Sequence, residues 1–271
     1  MPSPDLEQLL NPDNARTVLL VFGAAVARVA CALWALPFGG GRWVPVTVRL
    51  ALAAALALVL APLLLTDALL RPAPSTPLLL ALLAKEAMLG LALGLIMAII
   101  FWGVESAGRL MDTSLGTQGP GPAESWPLAR LMPLMAAALF LMLGGHRLYI
   151  LALARSFEVI PPWTMPGGEG LAALATLLLA LGGELFLLAL LLAAPLIGCM
   201  LLADLAMAWI SRPPANARLM VILQPARTLL GVGLMLATVA ILSQVVPRLL
   251  EEALGQVELA TNLLSRGAGA N

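Results

Sequence analysis

Long unbroken apolar runs separated by short polar islands set the rhythm of this chain. The runs fall at about 17–38, 47–65, 77–103, 128–151, 171–210 and 217–247. Each reaches the roughly 18–20 residues that cross a bilayer as a helix. Leu, Ala and Met dominate them without polar alternation, which excludes the roughly 10-residue strands of a membrane barrel. A helix satisfies its own backbone hydrogen bonds in lipid. The expected fold is therefore all-α: a polytopic helical membrane protein with long kinked helices and helical hairpins. Run 171–210 would extend roughly 60 Å at about 1.5 Å per residue, so a hairpin or broken pair is expected there, with Gly182-Gly183 or Pro195 at the break.

The polar islands are "TDALLRPAPSTP" at 66–77, "SAGRLMDTSLGTQGPGPAESWPLARLM" at 106–132, "RSFEVIPPWTMPGGEG" at 155–170 and "SRPPANAR" at 211–218. Prolines gather in them because proline cannot continue a helix. Pro133, Pro195 and Pro225 lie inside apolar runs instead and predict kinks, since each removes a helix hydrogen bond. The chain reads as a single membrane domain, 1–271. Its end, 248–266, sets Leu250, Leu254, Val257, Thr261 and Leu264 on one stripe, with Glu251, Glu252 and Glu258 off it. That is an amphipathic helix, and both an interface or partner helix and a plain surface helix fit it.

Composition sharpens the class. Of 271 residues 61% are hydrophobic and 11% charged, and the mean hydropathy is +0.98. Soluble domains keep about a quarter of their residues charged. Fifteen basic residues balance fifteen acidic ones, which points away from nucleic acid. Simple alternation of the six runs puts Arg42, Arg49, Arg109, Arg130, Arg212 and Arg218 on one side. Arg16, Arg71, Arg147, Arg155, Arg248 and Arg266 fall on the other. No positive-inside bias results, and charge does not orient the chain. Asp5, Glu7 and Asp13 stand where a basic signal region belongs, so a retained N-terminus is expected. Cys31 and Cys199 sit in apolar runs as small hydrophobes rather than a disulfide or metal pair.

Charges inside apolar runs are expensive and are functional candidates by default. They are Arg28, Lys85, Glu86, Glu105, Asp112, Glu184, Asp204 and Arg227. In "KEAMLGLALG", Glu86, Gly90 and Gly94 share a helix face, a packing seam with a polar anchor; a proton- or ion-coupling carboxylate is the sharper alternative. His146, the only histidine, has no His or Cys close by to complete a metal site. Nucleophile-elbow, zinc-protease and phosphate-loop motifs do not occur. No enzyme, cofactor or metal is expected. Met132, Met135 and Met142 could share a face, as packing filler or as an adaptable pore lining.

"ARVACALWALPFGGGRWVPVTVRLALAAALALVLAP", residues 27–62, resembles the start of the SctT/FliR family of type III secretion export-apparatus proteins. Arg28, Pro37, Val44-Pro45, Arg49 and Pro62 carry that likeness. "KEAMLGLALG", "SAGRLMD", "PLARLMPLMAAALFLMLGGHRLYILALARSFEVIPP" and "APLIGCMLLADLAMAWISRPPANARLMVILQPARTLLGVGLML" continue it in order, over roughly 20–250. "LPF", "LMD" and "GGH" resemble the injectisome, or virulence, branch more than the flagellar one. Ser114-Leu115-Gly116 and the Gly-Pro-Gly-Pro loop depart from the family pattern.

The resemblance implies a single-copy subunit of a protein-export gate in the bacterial inner membrane, raised towards the periplasm. Its partners would be about five SctR/FliP-type subunits, about four SctS/FliQ-type subunits and an SctU/FlhB-type switch protein. Unfolded secreted proteins would be the cargo, and lipid would surround the base. Residues 113–127 would be a plug, with Ser114, Gly116, Gly119, Pro120, Gly121 and Pro122 in it and Arg109 and Asp112 anchoring its base. Glyines suit tight turns and prolines deny strand pairing. Glu86, Gly90, Gly94 and His146 would serve subunit packing, with Arg147 beside them. A proton- or ion-coupled secondary transporter, using Glu86, Glu184 and Asp204, is the rival from another class.

Overall fold

The computed structural model describes residues 12–36, 45–68, 76–116, 127–210 and 217–268. Those residues form helices α1 (Pro12–Ala35), α2 (Val46–Ala68), α3 (Thr76–Leu115) and α4 (Pro127–Met142). They continue as α5 (Gly145–Val159), α6 (Gly168–Ile210) and α7 (Ala217–Ala268). No strand occurs among the described residues. Among the described residues, four helical stretches are long and apolar enough to cross a bilayer: Thr17–Ala35, Pro77–Leu115, Gly168–Ile210 and Pro225–Ser265. The broken pair α4 and α5 could supply a fifth. The chain is an all-α, multi-pass membrane protein.

Several boundaries differ from those the apolar pattern suggests. Residues 168–210 form one helix, with Pro195 inside it and Gly182-Gly183 uninterrupted. Neither breaks it, because a lone proline removes one hydrogen bond, and an apolar surround offers the other backbone groups no better partner than the helix. Pro133, Pro225 and Pro247 likewise lie within helices. The expected span 128–151 is broken instead, at Leu143-Gly144. Gly144 takes φ +73°, the left-handed conformation that ends a helix and that glycine adopts without strain. The amphipathic end at 248–266 continues α7 rather than standing alone. Its stripe is as expected: Leu250, Val257, Thr261 and Leu264 are buried, and Glu251, Glu252 and Glu258 exposed.

Two compact units share these helices. The first holds α1, α2, α3 to Ala98, α5 from His146, α6 to Ala180 and α7 from Glu252. Its core sets Val21, Ala25 and Val29, one turn apart on α1, against Ala53 and Ala57 on α2, with Leu64 and Phe157 closing the cluster. Alanines at that spacing let the helix backbones come close. On the other side of α1, Gly90 and Gly94 of α3 lie directly on its backbone. A methyl group at Gly90 would collide with the Arg28 carbonyl, and one at Gly94 would stand 2.5 Å from the Ala32 oxygen.

The second unit holds α3 from Ile99, α4, α6 from Leu181 and α7 to Glu251. Phe101 and Phe140 meet edge to face at 5.6 Å between centroids. Gly108 admits the backbone of Leu128 and Ala129, since a methyl there would come within 2.7 Å of the Leu128 carbonyl oxygen. That close approach brings the start of α4 onto the end of α3.

Candidate functional site: two loop stems and a buried charge network

The segment between α3 and α4 leaves from two held stems. Asp112, fully buried, turns its carboxylate to the first turn of α4. The Leu128 amide donates to both oxygens, at 3.2 and 3.0 Å, and the Ala129 amide donates at 2.9 Å. The first amides of a helix lack intrahelical acceptors, and a carboxylate there meets both that need and the positive end of the helix dipole. Pro127 at the first helical position loses nothing, having no N–H to satisfy.

The other stem is the last turn of α3. Ser114 and Leu115 are helical, with Ser114 Oγ donating to the Leu110 carbonyl at 3.0 Å. Gly116 follows with φ +72° and its amide on the Thr113 carbonyl. Of the residues expected to form a plug, 113–127, residues 113–115 belong to α3 and Pro127 to α4. Gly119, Pro120, Gly121 and Pro122 lie outside the described residues.

Arg227 of α7 reaches this stem. Its Nη2 donates to the Ser114 carbonyl at 3.1 Å and its Nη1 to the Leu115 carbonyl at 3.5 Å. Asp204 of α6 receives the same guanidinium at 2.6 and 3.2 Å. The sequence singled out Arg227 only as a costly charge, and Asp204 as that and as a coupling site of the rival transporter. The signal that could have paired them is the need of any such charge for a partner. Arg109, expected to anchor the plug with Asp112, is exposed on α3. It pairs with Glu105 one turn back at 2.6 Å, about half exposed. On α3 the two positions are three residues apart, yet only Asp112 is buried against α4.

In the first unit, the charges of α1 and α3 form one closed network. Arg28 holds Glu86 with two parallel hydrogen bonds, Nε to Oε2 and Nη2 to Oε1, the latter at 2.9 Å. It also donates to Ser156 Oγ at 3.1 Å and to the Ile160 carbonyl at 2.8 Å, and its guanidinium lies 4.0 Å over the Phe157 ring. Lys85 pairs with Glu86 Oε1, the oxygen that also accepts from Arg28 Nη2, at 2.7 Å. Its ammonium binds the carbonyls of Pro161, Pro162 and Thr164 at 3.2, 2.9 and 2.9 Å. Buried charges persist only when paired and hydrogen-bonded in this way.

The expected subunit-packing residues divide accordingly. Glu86, Gly90 and Gly94 are buried within this chain, where they join α3 to α1. His146 is exposed at the start of α5. Of the carboxylates named for an ion-coupled transporter, Glu86 and Asp204 are ion-paired and Glu184 is exposed. Met132 is buried whereas Met142, at the end of α4, is exposed. Both cysteines are free.

The chain is 31% identical over 236 residues to the flagellar biosynthetic protein FliR of Escherichia coli K12, covering 83% of this chain and 86% of that one. Identity to FliR of Caulobacter vibrioides is 28% over 228 residues, 81% and 89% of the two chains. The secretion system apparatus protein SsaT of Salmonella typhimurium is 28% identical over 160 residues, 56% and 60% of the two. The model for "Bacterial export proteins, family 1" matches residues 19–253, and the chain thus belongs to that family, the SctT/FliR group of export-apparatus membrane proteins.

Proposed function

We propose that this export-apparatus subunit is a non-enzymatic gate component of a type III secretion system, and that the segment between Leu115 and Pro127 is its plug. The observation that carries the reading is the Asp112 clasp. A buried carboxylate on α3 holding the first amides of α4 gives a short Gly-Pro segment a fixed base. Such a segment can then fill an irregular channel from a defined position. The partners would be SctR/FliP-, SctS/FliQ- and SctU/FlhB-type proteins in the inner membrane, with the chain present once per complex. Exposed apolar residues such as Phe186, Leu190 and Leu201 on α6 and Leu229 and Leu236 on α7 suit contact with those partners or with lipid. The injectisome preference drawn from "LPF", "LMD" and "GGH" gains no support from relatives of which FliR proteins are matched over more of the chain.

The test is a mild-detergent pull-down of the tagged chain from its host, followed by native mass spectrometry. One copy held with several copies of two smaller membrane proteins is expected, and their identities tell injectisome from flagellum. A stable monomer or homodimer would refute the gate reading. Deleting 117–126 should leave the complex assembled but permeable to small solutes at rest, and an unchanged permeability would remove the plug.

A further inference from the structure

The turn that follows α5 is rich in acceptors and poor in donors. Pro161, Pro162 and Pro166 bring carbonyl groups without amide hydrogens, and the last carbonyls of a helix lack intrahelical donors. Arg28 meets the carbonyl of Ile160. Those of Pro161, Pro162 and Thr164 converge on Lys85 Nζ, with Glu86 Oε1 as the fourth oxygen, all at 2.7–3.2 Å. The turn and both side chains belong to the first unit. An ammonium group has three hydrogens to give, one fewer than the oxygens around it, so the cage fits a charge better than a set of separate hydrogen bonds. A neutral amine would turn its lone pair on one of these oxygens. Arg28 already balances Glu86 through two parallel hydrogen bonds, which leaves the second positive charge to the carbonyl dipoles at the negative end of α5. Backbone carbonyls converging in this way can replace the hydration shell of a monovalent ion. Size narrows the choice. Magnesium and calcium draw their oxygens to roughly 2.0–2.6 Å, closer than any oxygen here; potassium is close to ammonium in size, and sodium is smaller.

We infer that Glu86 and the 161–164 turn form a binding site for one potassium-sized monovalent cation, and that Lys85 fills it from within the chain. A free ion would come and go with the surrounding salt. The tethered ammonium makes the join between α3 and the α5–α6 connection independent of it. The test uses the tagged chain with its co-purifying partners in mild detergent, at constant ionic strength in potassium, ammonium, sodium or choline chloride. Lys85→Ala removes the stem and leaves the cage open. For a dissociation constant of about 10 mM, potassium at about 300 mM should raise the thermal midpoint of this variant above that in choline by roughly 4–8 °C. Ammonium should do the same and sodium less. Hydrogen exchange at Trp163, Thr164 and Met165 of the variant should slow in potassium. The parent should respond to none of the four salts. Nor should Lys85→Met, whose terminal methyl group would collide with an ion at the place of Nζ.

Equal midpoints of Lys85→Ala in all four salts would overturn the site. A rise shared by sodium and potassium alike, without slower exchange at 163–165, would reduce the effect to general salt and overturn it too. So would a potassium response of Lys85→Met as large as that of Lys85→Ala. Should Lys85→Ala not accumulate, Lys85→Ser, which leaves nearly the same room and adds a hydroxyl, takes its place in the same series. Failure of both to fold with potassium present would show that no free ion replaces the ammonium, and the proposal would fall.

Discussion

Removing the negative charge of Glu86 should damage the protein more than removing the positive charge of Arg28, although the two form one ion pair. Glu86 serves two cations at once, Arg28 and Lys85. Glu86→Gln keeps the shape but leaves two ammonium-type charges together in a site closed to water. Breaking a buried pair from one side costs roughly 3–5 kcal/mol. Arg28→Met leaves Glu86 paired with Lys85 at 2.7 Å, and methionine restores much of the stem's volume. Its losses are the donors to Glu86 Oε2 and to the Ile160 carbonyl, since Lys85 keeps Glu86 Oε1 and Ser156 Oγ still donates to the Leu153 carbonyl. A buried group left unsatisfied costs about 1–3 kcal/mol. At roughly 2–4 °C per kcal/mol for a chain of this size, Glu86→Gln should lower the thermal midpoint on the order of 10 °C, and Arg28→Met by less, because it leaves the buried charges of Glu86 and Lys85 balanced. The assay heats the tagged complex in mild detergent and follows the fraction that still elutes intact on size exclusion. The double variant should be less damaged than Glu86→Gln alone, because it removes the repulsion between the two cations. If Arg28→Met proves as harmful as Glu86→Gln, or if the double variant shows the sum of both losses, the network is not organised around Glu86.

Other substitutions probe single contacts. Gly90→Ala should lower the same midpoint by the roughly 1–3 kcal/mol of an overpacked core, because its methyl group meets the Arg28 backbone. Gly182→Ala, with nothing within 4 Å of the new methyl group, should be neutral or stabilising by up to about 1 kcal/mol; a comparable loss at both sites would deny the seam. Asp112→Ala should loosen the first turn of α4 by about 1–2 kcal/mol, seen as faster exchange of 128–132, while Asp112→Asn should keep much of the protection. Lys85→Met removes the donor to the carbonyls of Pro161, Pro162 and Thr164, and limited proteolysis should then cut the 160–167 turn more readily than in the parent.

Helical membrane architecture was legible in the apolar runs, because lipid leaves a backbone few choices and runs of Leu and Ala near twenty residues answer that demand. The family was legible too, through Arg28, Glu86 and the ordered blocks that follow. Gly90 and Gly94 could be placed on one face with Glu86 by spacing alone. Spacing could not tell which helix that face meets, and only the tertiary structure assigned it to α1. The same limit explains Arg109 and Asp112. Both stood beside the loop in sequence, but burial against Leu128 and Ala129 selected Asp112 and left Arg109 to Glu105. Helix ends eluded the pattern for a related reason: hydropathy does not register the left-handed Gly144 that stops α4, nor the continuity of α6 through Pro195. Arg227 lies more than a hundred residues from the Ser114 and Leu115 carbonyls it binds. A one-dimensional pattern shows that such a charge needs a partner, and folding alone determines which one it finds.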